Sequence, residues 1–434
     1  MRRLGARLLA GDEPVSRRER AGLLAAVVLG FALQLAYAYA MRHRPLAGDE
    51  PEYSSEGVLI THGLWFYTRV PYGILHAGAW KAPLYPAWVG LWYSLFGPHP
   101  DAVRLVQVPV SVLTIPLTWL LARRLFGPRV AMAAAVVVAI YPLAWQWEGL
   151  LYPEALATPL YVVLLIVMLT RLPTRWRALG FGLLLGLTLL LRPSSVFLLL
   201  GALVAWCLMV GWRRGVELTA VAILGAVVVV APWTVRNAVV MHGFVPISME
   251  DAALYGTFNA QSAHNSLFPY AWERDPASDA YLFNPRHPLS DVTLRSRLIH
   301  NAVTYIEHHP ESLLAAFFWN GLSRLWDIRH QARALVEVPF DGRSHFISVV
   351  GLDMYYVLLP LALIGLWRAR RRRWFALGVL AIALGASIVY TTDAGTRFRA
   401  PLEPLIVVLA CAGALGTARL PRRPARSETR SEAV

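Results

Sequence analysis

The sequence predicts an all-α polytopic membrane protein, with about ten transmembrane helices and further helices at the outer interface. Hydrophobic residues make up 56% of the 434 residues and charged residues only 16%, against roughly 25% charged in a soluble domain. The mean hydropathy of +0.47 is higher than one buried core wrapped in polar surface would give. Uncharged apolar runs recur along the chain, so these observations exclude an ordinary soluble protein.

The predicted spans follow one another as apolar runs separated by short charged segments. A span needs about 20 apolar residues, with roughly 17 to 25 tolerated, so several runs are marginal alone. The ten runs are 21–41, 103–121, 130–147, 155–169, 178–191, 196–211, 216–233, 350–367, 374–390 and 402–418.

The distribution of basic residues orients these spans. With the N-terminus in the cytoplasm, the inner segments carry 24 Lys and Arg, including the run Arg370–Arg373, and the short outer turns carry three. This asymmetry follows the positive-inside rule. It predicts a multi-pass protein of the plasma (inner) membrane with both termini cytoplasmic. The net charge of +14 then reflects orientation in the bilayer and gives no reason to expect nucleic acid as a partner.

One apolar segment, 81–97, is predicted to lie in the outer leaflet rather than to span. It is short and rich in Trp and Tyr, which favour the interface. If it crossed the membrane, every later segment would change sides and Arg123, Arg124 and their counterparts would face outward.

The spans divide the chain into five predicted regions. These are a cytoplasmic segment 1–20, a seven-helix catalytic module 21–235 that includes the outer loop 42–101, an outer loop 236–349 with amphipathic helices, three C-terminal spans in 350–418, and a cytoplasmic tail 419–434 predicted to be disordered. Long structured loops in a compact fold are usually functional, so chemistry is expected in the two outer loops.

Carboxylates at the outer surface are the first candidates for chemistry. Asp49 and Glu50 follow the first span within a cluster of four acids, and either carboxylate could accept a proton from a hydroxyl. Acids also suit a helix start, so a purely structural role is the alternative for this cluster. Glu154 follows the third span and could position an acceptor, bind a cation or cap a helix; Glu148 is expected to be structural.

Basic residues at the same surface form the second group. Lys81 is the single lysine among 41 basic residues, so this position is predicted to require a compact ammonium. Arginines, which give bidentate donors to phosphate, also stand at the outer ends of spans, where positive charge is otherwise avoided. These are Arg192, Arg236, Arg397 and Arg399. Snorkelling to lipid head groups is the alternative role for each.

Several motifs are missing from the sequence. It contains no P-loop, no Gly-rich dinucleotide fingerprint, no His-Glu-x-x-His and no Asp-x-Asp motif. The two cysteines, Cys207 and Cys411, lie far apart in apolar runs, which excludes a disulfide scaffold or a Cys-based zinc site. No cofactor is certain, the metal site is unknown, and a divalent cation is left open.

The order of short motifs resembles the GT-C membrane glycosyltransferases, in the branch of protein O-mannosyltransferases, lipid A aminoarabinose transferases and Rgt-type galacturonosyltransferases. The resemblance covers nearly the whole chain. The motifs are Asp49-Glu50-x-x-Tyr53, Lys81-x-Pro83-Leu84-Tyr85, Arg123-Arg124-Leu125-Phe126-Gly127, Pro153-Glu154, Arg192-Pro193, Pro232-Trp233-x-x-Arg236-Asn237 and Arg397-Phe398-Arg399-x-Pro401.

The resemblance implies a GT-C-like fold, a polyprenyl-phosphate sugar donor and an active site at the outer face. Asp49 matches the catalytic acid of the first loop and Glu154 the second acid. Glu50 and Tyr53 are expected to support them or the acceptor. Lys81 matches the basic position of a Lys-Pro-Pro motif, although Ala82 replaces the first proline.

The predicted function is transfer of a sugar from this donor to an acceptor hydroxyl, with inversion at the anomeric carbon. Lys81 and the four arginines would bind the donor phosphate, and the acceptor would be an envelope glycan, a lipid or a protein. Two alternatives remain: a lipid-linked sugar flippase or transporter, and a non-catalytic subunit that binds the lipid-linked sugar. A transporter would normally carry charges within its spans, and none lies deep within a predicted span.

Overall fold

The computed structural model describes residues 14–416, which are mostly helical with one short β-hairpin. The predicted disordered tail 419–434 and most of the segment 1–20 lie outside the described residues. The first half contains α1 (Arg17–Met41), α2 (Glu50–Thr61), β1 (Tyr67–Thr68), β2 (His76–Ala77), α3 (Leu84–Phe96), α4 (Pro100–Val106), α5 (Val108–Val112), α6 (Thr114–Phe126), α7 (Pro128–Ile140), α8 (Glu154–Leu169), α9 (Arg175–Leu191), α10 (Leu198–Val210) and α11 (Trp212–Met241).

The second half begins with short helices and ends with long ones. It contains α12 (Leu254–Thr257), α13 (Ala260–Ala263), α14 (Pro276–Asp279), α15 (Asp291–His308), α16 (Glu311–Ala316), the π-helix Phe317–Arg324, α17 (Gln331–Val336), α18 (Val338–Asp341), α19 (His345–Arg368), α20 (Arg373–Val389), α21 (Thr396–Arg399) and α22 (Glu403–Leu415). Short 3-10 turns connect several of these helices, at Pro142–Ala144, Gln146–Gly149, Pro193–Phe197, Met249–Ala253, Ala369–Arg371 and Ala400–Leu402.

Six helical stretches within residues 14–416 are long and apolar enough to cross a membrane. They are Arg17–Met41, Pro100–Phe126, Pro193–Val210, Trp212–Met241, His345–Arg371 and Thr396–Leu415. The shorter apolar helices α7, α8 and α20 also coincide with predicted spans. The prediction of a helical polytopic membrane protein is confirmed, and the count of ten spans stays a prediction.

Polar contacts join the helix ends that the charge distribution assigns to one side. Near the start of α1, Glu19 accepts from Arg123 Nε at 3.3 Å, and Arg124 donates to Thr170 at the end of α8. Arg372 donates to the carbonyl of Leu125 at 2.6 Å. These segments therefore meet at one end of the bundle, while the candidate site residues meet at the other.

The first outer loop folds into two packed helices and a hairpin. The α3 helix has 13 residues, about 20 Å, which is shorter than the roughly 30 Å core of a bilayer. It packs along α2. The contact at Gly90 is so close that a Cβ there would lie only 2.6 Å from Ile60 Cγ2. The hairpin pairs Tyr67 with Ala77 and is antiparallel.

The helix before the predicted second outer loop continues past residue 236, where that loop is predicted to start. Helix α11 continues to Met241, so Arg236 is helical. The chain then folds back along this helix, where Asn237 Nδ2 donates to the carbonyl of Val245 at 3.1 Å and Trp233 Nε1 to that of Ile247 at 2.6 Å. These bonds supply the helix end with polar partners that a hydropathy pattern does not reveal.

Candidate active site

Five ionic side chains from distant segments form one connected cluster at the outer-loop end of the bundle. Asp49 lies immediately before α2, Lys81 before α3, Glu154 at the first position of α8, Arg192 just after α9, and Arg397 in α21. All five were predicted as site residues, and we refer to them as the ionic cluster. Their convergence brings together carboxylates that can accept protons and cations that can bind an anion.

The exposed edge of the ionic cluster is formed by Asp49. Its Oδ1 lies 3.4 Å from Lys81 Nζ, and its Oδ2 accepts from Arg397 Nη1 at 2.7 Å. Asp49 keeps 39% of its side chain exposed, whereas Lys81 keeps 9%. A molecule approaching from the solvent side therefore meets the Asp49 carboxylate first, with the cations behind it.

The buried part of the ionic cluster is centred on Glu154, which is fully buried. Its Oε1 accepts from Arg397 Nε at 2.7 Å and from Arg192 Nη1, while its Oε2 has no partner among the described residues. Arg192 Nε also lies 3.2 Å from the hydroxyl of Tyr390. Desolvation offsets much of the attraction in a buried ion pair, so these pairs by themselves are weak evidence for stabilisation of the fold.

Local backbone structure aims these side chains inward. Glu154 stands in the first turn of α8, where the helix dipole favours a negative charge. Arg192 ends α9 in an extended conformation (φ −151°), which turns the chain into the following 3-10 segment and leaves its side chain beside Glu154. Arg397 lies in a short helix, and its guanidinium stands 3.9 Å from the ring centroid of Tyr152.

Neighbouring charges fix the ionisation states of Asp49 and Lys81. Burial alone would raise the pKa of Asp49, but the Lys81 ammonium and the Arg397 guanidinium outweigh it and hold that pKa well below its usual range. Burial would lower the pKa of Lys81, but Asp49 and other nearby groups raise it well above its ordinary value. Asp49 is thus a carboxylate, and Lys81 an ammonium, at any physiological pH.

Two further predicted residues lie beside the ionic cluster. Glu50 is fully buried, pairs with Arg44 and with Arg104 Nη2 at 3.2 Å, and accepts from the backbone N–H of Leu151 at 2.8 Å. It therefore ties the first loop to the segment before Glu154 and is not open to an acceptor. The ring of Tyr53 lies 5.2 Å from Lys81 Nζ, which orients the ammonium.

Arg236 and Arg399, predicted to share one phosphate pocket with Lys81, are not brought into the ionic cluster. Arg236 donates to the carbonyls of Gly78 at 2.7 Å and Phe66 at 2.9 Å, so it fastens the hairpin to α11. Arg399 is fully buried and donates to Glu403 at 2.7 Å and Asp327 at 3.0 Å. The structure thus brings Lys81, Arg192 and Arg397 together and places Arg236 and Arg399 elsewhere, while phosphate binding by any of them stays a prediction. Arg397 and Arg399 are two residues apart on one short helix, so their side chains cannot point the same way.

The structure adds residues that were not predicted for the site. Glu52 Oε2 lies 3.0 Å from Lys81 Nζ and also accepts from Trp80 Nε1 at 3.0 Å. The Tyr152 hydroxyl accepts from the backbone N–H of Asp49 at 3.3 Å. Only their positions in the sequence could have pointed to these two residues. Glu52 belongs to the acid cluster of the first loop, and Tyr152 precedes Glu154 by two residues.

The donor set of the ionic cluster does not suit a divalent cation. Within the described part of the chain, no group of three or more His, Cys, Asp or Glu side chains is arranged to hold a metal. Three oxygens of Asp49 and Glu154 already face Lys81, Arg192 or Arg397. Each of these oxygens thus has a positive side chain within contact distance, and that positive charge opposes the approach of a metal ion.

Comparison with known proteins finds a family model that is similar to part of the chain. Residues 80–235 match the family model described as dolichyl-phosphate-mannose-protein mannosyltransferase. The matched segment contains Lys81, Glu154 and Arg192, while Asp49 and Arg397 lie outside it. Three members of the ionic cluster therefore fall within the segment that the family model matches.

Two curated relatives match a shared stretch of sequence. The undecaprenyl phosphate-alpha-4-amino-4-deoxy-L-arabinose arabinosyl transferase of Pseudomonas aeruginosa strain PAO1 is 29% identical over 208 residues, and that of strain UCBPP-PA14 is 31% identical over 202. Each match covers 40% of this chain and 37% of the relative. The similar stretch is thus well under half the length of these relatives.

A solved structure shares the fold over most of this chain. The oligosaccharyltransferase of Archaeoglobus fulgidus, tethered to an acceptor peptide, has a TM-score of 0.52 at 14% identity, covering 91% of this chain and 49% of that chain. At this identity the likeness concerns the fold alone. Together with the family model and the relatives, it confirms the resemblance predicted from the motifs.

Proposed function

We propose that this member of the GT-C superfamily transfers a sugar from a polyprenyl-phosphate donor to an acceptor hydroxyl at the outer face of the plasma membrane. The observation that carries the proposal is the ionic cluster, in which the exposed carboxylate of Asp49 contacts two cations, Lys81 and Arg397. The acceptor class is an envelope glycan, a lipid or a protein. The similar stretch shared with arabinosyl transferases makes undecaprenyl phosphate the first lipid carrier to test.

In the proposed reaction, the acceptor oxygen attacks the anomeric carbon as the bond from that carbon to the phosphate oxygen breaks. The electron pair of the breaking bond leaves with the polyprenyl phosphate, and the acceptor proton passes to the Asp49 carboxylate. Direct attack inverts the anomeric centre. Asp49 suits the role of base because it is ionised and is the exposed edge of the ionic cluster.

Lys81 and Arg397 are proposed to bind the leaving phosphate. In the free protein both cations contact Asp49, so a donor phosphate would compete with that carboxylate for them. Sharing these cations would raise the pKa of Asp49 and make it a stronger base once the donor is bound. Arg192 and Glu154 hold Arg397 from behind, which keeps its guanidinium in place for the phosphate.

Two non-enzymatic functions compete with this proposal. A transporter of lipid-linked sugar would move the donor without releasing undecaprenyl phosphate, and a binding subunit would do neither. The test is a reconstituted assay in proteoliposomes, with a panel of undecaprenyl-phosphate sugars and an envelope extract as acceptor, with and without EDTA. Release of undecaprenyl phosphate only when acceptor is present supports transfer. Donor movement or binding without release would contradict it.

The membrane arrangement proposed for this function has ten spans, in a seven-helix module 21–235 and three C-terminal spans, with both termini cytoplasmic. We expect a single cysteine at Tyr281, in the second outer loop, to react with an impermeant reagent added outside whole cells. A cysteine at Arg371 should react only after permeabilisation. Both native residues are exposed, and the protein for this test lacks Cys207 and Cys411.

The outcome of labelling distinguishes the two topologies. If 81–97 crossed the membrane, Tyr281 would be protected and Arg371 would react from outside. Trp176, which is 82% exposed near the start of α9, provides a second position expected on the same side as Arg371.

We expect Lys81→Ala to reduce kcat/KM for the donor about 10- to 100-fold, because a charge-assisted contact to phosphate contributes roughly 1.5–3 kcal/mol. Lys81→Arg should also be impaired, because a planar fork replaces a compact ammonium between Asp49 and Glu52. The measurement is the initial rate of undecaprenyl phosphate release at varied donor concentration.

The pH profile separates this role from a packing defect. In the natural protein the pKa of Asp49 lies well below its usual range, so kcat/KM should show no loss due to Asp49 between pH 5 and 7. Removing Lys81 removes one of the two cations that lower this pKa, so the acid limb of the Lys81→Ala profile should move to higher pH. An unmoved acid limb, or full activity in Lys81→Ala, would contradict the proposed pairing.

A further inference from the structure

A wedge-shaped cleft opens between α19 and α20, far along the bundle from the ionic cluster. The two helices follow one another in sequence and are joined by the 3-10 turn Ala369–Arg371, yet they pack chiefly against different neighbours. Helix α19 packs along α22, and helix α20 packs along α10. They therefore diverge from a shared vertex and leave a cleft of about 540 Å³.

The walls of this cleft are apolar and face outward from the bundle. They are formed by Leu363, Leu366, Trp367, Ala376, Leu377 and Leu380. Trp367 is 61% exposed and Leu380 49% exposed. In water such a patch would be costly, but in the proposed membrane arrangement it faces the hydrocarbon of one leaflet. No protein side chains fill this open wedge between the helices. In a bilayer, the wedge would therefore be filled by a lipid acyl chain.

Arginines stand at the vertex of the cleft, where the lipid head groups of that leaflet would lie. Arg370 and Arg373 line the cleft itself, with Arg371 between them in sequence. The Arg370 guanidinium lies 3.8 Å from the ring centroid of Trp367. This contact holds the arginine side chain against the apolar wall. The positive charge therefore adjoins the apolar volume directly.

These arginines have no acidic partner among the described residues and, unlike their neighbours, do not tie one helix to another. Arg368 and Arg372 donate to the carbonyls of Gly413 and Leu125 and so hold helix ends together. No described carboxylate pairs with Arg370, Arg371 or Arg373, and the sequence has no acidic residue between Asp353 and Asp393. Arg370 donates only to the carbonyl of Trp367, one turn away, at 3.0 Å. The positive charges of Arg370, Arg371 and Arg373 are therefore not balanced by a carboxylate of the described residues, and they can attract an anion from outside the chain.

We infer that this cleft binds a phospholipid with a negatively charged head group, its phosphate between Arg370 and Arg373 and one acyl chain along the wall of α20. The inference rests on the proposed membrane arrangement but not on the proposed transfer reaction, since the cleft lies at the opposite end of the bundle. Basic pockets between spans on the cytoplasmic side are a known mode of recognising anionic lipid head groups. The combination of an apolar cleft with charge at one end fits an amphiphile better than free phosphate.

The experiment is native mass spectrometry of the full-length protein in detergent, titrated separately with cardiolipin, phosphatidylglycerol and phosphatidylcholine. We expect cardiolipin and phosphatidylglycerol to form retained one-to-one adducts and phosphatidylcholine to bind about 10-fold more weakly. The double variant Arg370→Ala/Arg373→Ala should lose about 10- to 30-fold in affinity for the anionic lipids, because each basic side chain near a membrane surface contributes roughly 1 kcal/mol.

Two further variants distinguish the effect of losing arginines at the cleft from the effects of losing arginines elsewhere and of narrowing the cleft. The variant Arg129→Ala/Arg213→Ala removes two exposed arginines, both in predicted inner segments, and should bind anionic lipid as the natural protein does. Leu377→Trp leaves every arginine in place but narrows the cleft, and should weaken binding of both anionic lipids. All variants alter exposed side chains, so their thermal midpoints in lipid-free detergent should agree.

Three binding results in the titrations would overturn the inference, and a competition result would do so as well. The binding results are equal retention of phosphatidylcholine, an unchanged affinity in Arg370→Ala/Arg373→Ala, and an equal loss in the control variant. Displacement of phosphatidylglycerol by millimolar inorganic phosphate would also overturn it, because it would show a bare anion site that does not use the apolar walls. Undecaprenyl phosphate release by these variants reports on the ionic cluster separately.

Discussion

Asp49→Asn is expected to reduce sugar transfer about 10²–10⁴-fold while leaving the protein folded and able to bind donor. The amide keeps the shape of the carboxylate but cannot accept the acceptor proton. It also removes a negative charge from between Lys81 and Arg397, so donor phosphate should bind at least as tightly as before. The measurement is kcat from undecaprenyl phosphate release, with donor binding followed separately.

Asp101→Asn is the matched control for this prediction. Asp101 belongs to the same outer loop and its carboxylate has nearly the same exposure, 37% against 39% for Asp49, but it pairs with His43 and Arg104 outside the ionic cluster. Its substitution should change kcat by less than about 3-fold, as for a surface pair. Near-normal transfer by Asp49→Asn would move the role of base to another carboxylate and would contradict the mechanism.

Arg397→Gln is expected to reduce kcat/KM about 10²–10³-fold, because this one guanidinium contacts both carboxylates of the ionic cluster. Its Nη1 donates to Asp49 and its Nε to Glu154, each at 2.7 Å. Its loss removes a phosphate donor and frees Asp49 to turn away. Arg397→Lys should recover little activity, since an ammonium cannot span the two carboxylates as a fork does. The readout is activity per folded protein.

Arg399→Gln offers a comparison two residues along the same helix. Arg399 is buried between Glu403 and Asp327, so its loss leaves buried carboxylates short of a partner and should destabilise the protein by about 3–5 kcal/mol. Its effect should therefore fall on thermal stability, while the folded fraction keeps near-normal kcat/KM. The reverse pattern, a stable but inactive Arg399 variant, would restore Arg399 to phosphate binding and contradict its placement here.

Helical membrane architecture could be predicted from sequence because it depends on one-dimensional properties. Hydropathy marks where the chain can enter a bilayer, and the bias of arginine toward alternate segments assigns sides. Both signals survive without knowledge of packing, which is why the predicted runs coincide with helices in the structure. The end of α11 could not be placed in this way, because its last turn is stabilised by the returning chain at Val245 and Ile247.

In the candidate site, too, one part could be predicted from sequence and another part could not. The residue types were readable from sequence: a lone lysine, acids after spans, and arginines where positive charge is otherwise avoided. Which of them meet was not readable, since Asp49 and Arg397 are 348 positions apart. Glu50 and Asp49 are neighbours in sequence, yet one is buried in a pair with Arg104 and the other is half exposed, because successive helix-start residues point in different directions.

The sequence by itself determined the membrane class, the positions of the apolar helices and the types of charged residue available to the site, because composition and charge act along the chain. Tertiary structure alone decided that Lys81, Arg192 and Arg397 surround Asp49 and Glu154, whereas Arg236 and Arg399 serve the backbone and a separate buried pair. It also separated α19 from α20 and so opened the cleft beside Arg370. The physical reason is that side-chain charge is a property of one residue, while a shared field or a cavity belongs to the packing of several helices.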